Sequence, residues 1–165
     1  MVPQKVQTAL NNQLNEEMFA SYSYLAMSAY FESHDLSGFA SWFRAQSTEE
    51  YGHAMKIFDY LHQAGGKVTL KEIKSPKTNW KAYLDVFKDM YAAEQKVTES
   101  INSIVELSGK EKDYATNNFL QWFVSEQVEE EAAAQKLLKR MEMVGNNTPG
   151  LLMMDRELGM RASGQ

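Results

Sequence analysis

Residues 65–79 read GGKVTLKEIKSPKTN, a polar run with two glycines and a proline set between long stretches of helical periodicity. All three prolines, Pro3, Pro76 and Pro149, fall outside those stretches, as expected of a ring that clashes with the preceding turn of a helix. Apolar residues recurring every three or four positions predict helices over about 5–33, 38–64, 80–108 and 113–144, here A to D. Asp35 and Ser37 offer N-caps for B, while Gly65-Gly66, Gly109 and Gly145 stand where B, C and D should end. Thr148-Pro149 reads as the cap and first-turn proline of a short fifth helix, E, over about 149–160. The final Ser163-Gly164-Gln165 reads as a disordered end.

Connection lengths choose the topology. A few residues join A to B and C to D, so each pair is expected as an antiparallel hairpin. The 15 residues of 65–79 make 14 steps and can extend to roughly 46 Å, whereas a helix of B's length is about 40 Å long. The segment can therefore run the length of the bundle and set B parallel to C. The expected fold is all-α, a single domain over 1–165: a four-helix bundle with one long B–C crossover and a short C-terminal fifth helix.

Composition narrows the function classes. The chain has 165 residues, 44% hydrophobic and 24% charged, with a net charge of −5, the profile of a globular domain with one core. It carries no basic patch, which argues against a nucleic-acid partner. No apolar run approaches the roughly 20 residues needed to span a bilayer. The opening MVPQKVQTAL lacks an apolar signal region, so the expected location is cytoplasmic, with no membrane partner. Cysteine is absent, which removes disulfides, Cys-ligated zinc, rubredoxin-type iron and a thiol nucleophile.

Helical phase, at about 100° per residue, then assigns faces. In A, Val6, Leu10, Leu14, Ser21, Leu25 and Ser28 form a stripe that contains Glu17, while Glu16 points away. In B, Phe39, Phe43, Ala54, Ile57 and Leu61 enclose Glu50, with His53 in reach and Glu49 at the edge. In C, Tyr83, Phe87, Met90, Ile101 and Val105 share a face with Glu94. In D, Phe119, Phe123, Ala134, Leu137 and Met141 share one with Glu130, flanked by Glu126 and Gln127. A lone inward glutamate is ordinarily an edge residue whose stem snorkels. Here each helix supplies one, about 12 to 17 residues after its expected start, so antiparallel neighbours bring all four to one level. Four carboxylates at one depth repel, and an ionised buried carboxylate costs several kcal/mol unless compensated. A polyvalent cation is the economical compensation. Oxygen donors with one imidazole suit iron or manganese, and the donor count suits two divalent ions.

With these residues in place the sequence resembles the ferritin family, specifically the non-haem bacterial and archaeal ferritins, over essentially its whole length. Ferritin-like di-iron bundles take a Glu from each of two helices and Glu-x-x-His from each of the other two. Glu17 and Glu94 match the single acids, and Glu50-Tyr51-Gly52-His53 the first motif. Gln127-Val128-Glu129-Glu130 replaces the second. Symmetric di-iron members, bacterioferritins included, keep the second histidine, whereas the Gln-x-x-Glu form is similar to the ferroxidase centre of non-haem ferritins. Tyr51 stands where bacterioferritins place a haem-ligating Met, so no haem is expected.

The resemblance implies that Glu17, Glu50 and His53 hold one iron and Glu94 and Glu130 the second, with Glu50 bridging and Gln127 adjacent. A nearby third site would use Glu49, Glu126, Glu129 and Glu130. Tyr24 matches a tyrosine beside the centre, where it could supply an electron or fill the core edge with its hydroxyl bonded. Trp122 matches a nearby aromatic, read here as packing. The implied activity is ferroxidase: Fe(II) is oxidised by O2 or peroxide, and a mineral forms inside a shell of 24 subunits, with helix E at one set of symmetry axes. A di-iron or di-manganese oxidase or peroxidase without storage is the alternative. From the sequence, Tyr22, Met27, Tyr30 and Trp42 suggest surfaces for association. The ten methionines read as packing residues, His34 and His62 as surface or cap residues, Gly52 as permitting close packing, and Glu131 as solvated charge or a subunit contact.

Overall fold

In the computed structural model, which describes residues 1–163, five α-helices form: α1 (Gln4–Glu32), α2 (Ser37–Gln63), α3 (Tyr83–Lys110), α4 (Tyr114–Val144) and α5 (Thr148–Gly159). A 3-10 turn, Met160–Ser163, follows α5. Gly164 and Gln165, two of the three residues expected as a disordered end, lie outside the described residues. No strand occurs among the described residues. α1 packs along α2 and α3 along α4, the two hairpins expected from the short connections.

The crossover is pinned along α1 in the same direction as that helix. Lys67 N donates to Gln7 Oε1 at 2.8 Å and Thr69 N to Asn11 Oδ1 at 2.7 Å, while Asn15 Nδ2 donates to the Glu72 carbonyl at 3.1 Å. At the far end Tyr30 OH donates to the Trp80 carbonyl at 3.3 Å. From Gln7 to Tyr30 α1 rises about 35 Å, and the chain from Lys67 to Trp80 can extend roughly 43 Å. The strap thus returns the chain to the end where α2 began, and α3 runs parallel to α2.

Several helix ends differ from the expected ones because tertiary partners decide them. Neither Asp35 nor Ser37 caps α2: Asp35 adopts φ 57°, and the N-terminal residue Leu36 gives no side-chain bond. The free amide of Phe39 is taken instead by Asp155 Oδ1 of α5 at 2.8 Å. Gly109 does not end α3, which continues to Lys110. The left-handed position falls on Lys112 at φ 55°, and Asp113 N closes on the Ser108 carbonyl at 2.8 Å. α3 starts three residues later than expected because the Trp80 indole donates to Asp89 at 2.7 Å and holds that residue in the strap. Asn147, one residue before Thr148, caps α5 through Gly150 N at 2.7 Å. Gly65 and Gly145 follow α2 and α4 at positive φ, as expected.

Side-chain packing divides the interior into two apolar clusters. One is built on Phe31, Phe39, Phe43, Phe87 and Met90, joined by Ala134 and Leu137. The other gathers Val6, Leu10, Leu14, Ile57, Leu61, Ile101, Leu120 and Phe123. Burying each such side chain stabilises by about 1.5–3 kcal/mol. Between the clusters each of α1 to α4 crosses a polar layer, and the inward acids occupy it. Leu25, expected on the inner stripe of α1, is 45% exposed; Tyr24, Met27 and Phe31 take the covered side, where α2 and α3 lie. Met27 and Tyr30, read as association surface, are core residues for the same reason, whereas Tyr22 is exposed and Trp42 half-buried. Met90, Met141 and Met154 are buried as packing residues, but Met143, Met153 and Met160 are exposed. His34 and His62 are exposed at helix ends. Gly52 permits no close approach within the chain: a Cβ there would meet nothing within 4 Å.

Gly38 is the glycine that close packing requires. A Cβ on it would lie 1.7 Å from the Asp155 carbonyl oxygen, and one on Gly159 would lie 3.1 Å from Gly38 Cα. α5 crosses the first turn of α2 in backbone contact. Gly38→Ala should push α5 off that turn, break the Phe39–Asp155 bond and cost about 1–3 kcal/mol or more, read as a lower thermal midpoint.

Candidate metal centre

Midway along the bundle the phase of each helix turns one acid into the polar layer. Glu17, Glu50, His53, Glu94 and Gln127 are buried there, and Glu126 and Glu130 are half-buried. Their donor atoms assemble into three groups, within each of which all atoms lie within 4.8 Å of one another: Glu17, Glu50 and His53; Glu50, Glu94 and Glu130; and His53, Glu126 and Glu130. Glu50 belongs to the first two. His53 Nδ1 stands 3.1 Å from Glu50 Oε2 and 4.0 Å from Glu17 Oε2, and its Nε2 is 3.9 Å from Glu126 Oε1. Trp122 and His53 meet edge to face at 5.3 Å between centroids, and Lys56 Nζ lies over the Trp122 ring at 4.3 Å.

Burial is the largest influence on the electrostatics. The pKa of Glu17 is pushed well above its ordinary value, first by burial and then by the charge of Glu50. That of Glu50 rises to about 8 through burial and then Glu94, and that of Glu130 to about 7 from burial and then Glu94. Burial also raises Glu94, although Tyr24 OH and Gln127 donate to it. The Tyr24 hydroxyl is shifted well upward by burial and by the Glu94 carboxylate that it hydrogen-bonds. Glu17 Oε2 is a buried oxygen with no hydrogen-bond partner among the described residues, an arrangement that costs about 1–3 kcal/mol. An orphaned carboxylate oxygen aimed at other acids and an imidazole is what a divalent cation would satisfy.

Three amides hold these carboxylates. Gln13 Nε2 donates to Glu17 Oε1 at 2.8 Å and is itself oriented by Ser100, whose hydroxyl donates to Gln13 Oε1 at 2.5 Å. Gln46 Nε2 donates to Glu50 Oε1 at 3.2 Å and to Glu130 Oε2 at 2.8 Å. Gln127 Nε2 donates to Glu94 Oε2 at 3.2 Å and to Thr98 Oγ1 at 3.3 Å. Gln13 and Gln46 escaped the sequence reading. The signal was present: each stands four residues before an inward glutamate, hence one turn away on the same face.

The outer acids divide. Glu126 reaches the centre through His53 and Glu130, whereas Glu129 is exposed and joins none of the three groups. Glu49 lies near enough to raise Glu130, but its carboxylate is paired with Arg161 at 2.7 Å. Glu131, expected on a solvated flank, is half-buried, and its charge reaches Glu94. Paired, flexible carboxylates with one imidazole can hold two hard cations side by side and shift between terminal and bridging modes.

Known proteins share this architecture. The family model described as a ferritin-like domain matches residues 7–144. A bacterial non-heme ferritin from Staphylococcus haemolyticus is 39% identical over 162 residues, covering 98% of each chain. One from Campylobacter jejuni is 41% identical over 156 residues, 94% of this chain and 93% of that protein. Among solved structures, a ferritin described as open-pore, from the hyperthermophilic archaeon Archaeoglobus fulgidus, superposes with a TM-score of 0.95 at 43% identity. It covers 96% of this chain and 98% of its own.

Proposed function

The chain belongs to the ferritin family, and from that premise we propose that it is an iron-storing ferroxidase. Iron is its substrate and cargo. The observation that carries this reading is the pair of donor groups sharing Glu50, one of which includes the orphaned Glu17 oxygen. Glu17, Glu50 and His53 hold one Fe(II), and Glu94 and Glu130 hold the second, with Glu50 between them and Gln127 steadying Glu94. Each iron gives up one electron. The two together reduce O2 to hydrogen peroxide, or peroxide to water, with protons taken up from solvent. The resulting Fe(III) is favoured by the hard oxygen donors. Tyr24, buried at the core edge with its hydroxyl donating to Glu94, would steady that carboxylate beside the pair. Glu126 and Glu130, already grouped beside His53, would begin an outer third site, which Glu49 would join only on leaving Arg161 and exposed Glu129 only on turning inward.

Oxidised iron needs an enclosure, and a single bundle has none. We assign the chain to a hollow shell of 24 copies in the cytoplasm. Tyr22, Leu25 and Tyr51 are exposed on α1 and α2, and Leu152, Met153 and Met160 on and beside α5; these apolar side chains favour association. Among the described residues no helix is long and apolar enough to cross a membrane. Light scattering tests the shell, and aerobic addition of Fe(II) tests the chemistry. A 24-subunit particle that turns amber and retains iron is expected. A monomer or dimer that oxidises iron without retaining it would favour a non-storage oxidase.

A further inference from the structure

Gln46 touches two of the centre's carboxylates through one nitrogen, and a residue beyond the five helices decides its orientation. Only the NH2 end of an amide can face two ionised carboxylates, the form in which they hold cations, so its oxygen must turn the other way and find a donor. Arg161, in the turn after α5, is that donor. Its Nη1 donates to Gln46 Oε1 at 3.0 Å, its Nη2 donates to Glu49 Oε1 at 2.7 Å, and its guanidinium lies over the Trp42 ring at 4.7 Å. Trp42, Gln46 and Glu49 stand at i, i+4 and i+7 on α2. They form a slot with an aromatic floor, a neutral acceptor and a charged one. A planar guanidinium fork fits such a slot, whereas a lysine ammonium would meet only part of it.

We propose that Arg161 is a positioning residue for the metal centre. It locks the Gln46 amide in the one orientation that steadies both Glu50 and Glu130, so the C-terminal turn helps to hold the ligands of both ions. Without it the amide is free to rotate and present its oxygen to the carboxylates. The role rests on the metal-centre reading above, and Co2+ binding to the full-length assembled protein separates the two.

Arg161→Ala is expected to weaken Co2+ binding at the paired site roughly tenfold, the scale of a lost supporting partner, and to change the visible spectrum of the bound ion. Arg161→Lys should recover only part of this. In a Gln46→Leu background, where no amide remains to be locked, Arg161→Ala should add no further loss. A purely structural anchor would predict something else: a lower melting temperature for Arg161→Ala with Co2+ affinity and spectrum unchanged. That result overturns the proposal, as do full rescue by lysine or additive losses in the double variant. A wild type that binds no Co2+ overturns the metal-centre reading and this role together. A wild type that binds it, with Arg161→Ala indistinguishable, overturns this role alone.

Discussion

Glu50→Ala is expected to slow the initial rate of aerobic Fe(II) oxidation by roughly 100-fold or more, beyond the 10–100-fold typical of a lost supporting residue. Glu50 is the residue common to the Glu17–His53 group and the Glu94–Glu130 group, so its loss deprives both ions at once. Glu130→Ala removes a donor from one side of the pair and one from the outer group, and should be severe but smaller. Glu16→Ala supplies the control: it is adjacent to Glu17 in sequence, exposed and turned away from the polar layer. Stopped-flow absorbance of the ferric product ranks the variants. Equal rates for wild type and Glu50→Ala would refute the assignment, and a Glu16→Ala defect as large as that of Glu50→Ala would show that general acidity is being measured.

Metal-free protein should lose stability as pH rises from about 5 to about 8, the reverse of what salt-bridged acids produce. An unfolded glutamate gives up its proton near 4.5, whereas in the folded chain Glu50 keeps its proton to about 8 and Glu130 to about 7. Between those values unfolding releases protons, so higher pH favours the unfolded chain. Their full contribution is present below about 4.5 and is lost once the folded groups ionise. Glu17 and Glu94 are displaced in the same direction. Glu50 alone corresponds to up to about 5 kcal/mol, and the melting midpoint should fall by on the order of 10 °C. A redox-inert divalent ion such as Zn2+ should restore it, because binding replaces those protons and draws the equilibrium to the folded state. Glu50→Gln should flatten the pH slope and raise the metal-free midpoint at pH 8 while impairing oxidation. Opposite signs for stability and activity are the mark of a site held under tension. Melting curves across this pH range, with and without metal, decide the matter. A metal-free midpoint that climbs with pH would show the acids to be compensated by groups not named here.

The sequence made most of the scaffold readable because its physics is local or nearly so. Helical phase placed Glu17, Glu50 and Glu94 inward, and loop length decided the crossover. On α4 phase chose Glu130 with Gln127 at its flank, whereas Gln127 is the buried one and Glu130 is half-buried. Residues whose environment is set by distant chain were not readable. Whether Leu25 or Met27 faces the core depends on which side of α1 its neighbours cover, which the phase of one helix does not carry. The amide at the start of α2 finds Asp155, 116 positions away, so inspecting nearby cap residues could not find it. Arg161 meets Gln46 across 115 positions, from a stretch bordering what looked like a loose end. Glu49 could be placed at an edge, but its pairing with arginine carries no sequence signal. Gly52 invited a packing explanation that nothing within the chain supplies.

The polar layer between the two apolar clusters has a second consequence: it keeps the helices aligned. An all-apolar interior would tolerate a slide of α1 along α2 by one turn, about 5.4 Å, since one aliphatic side chain fills another's place. Here a slide one way would carry Glu17 towards the ring of Phe43 and draw Leu14 in among the carboxylates, and a slide the other way would carry it towards Ile57. Either direction strands a carboxylate in hydrocarbon at a cost of several kcal/mol. The acids thus work like the teeth of a key, rejecting every stagger of the bundle but one, and they do so before any ion arrives.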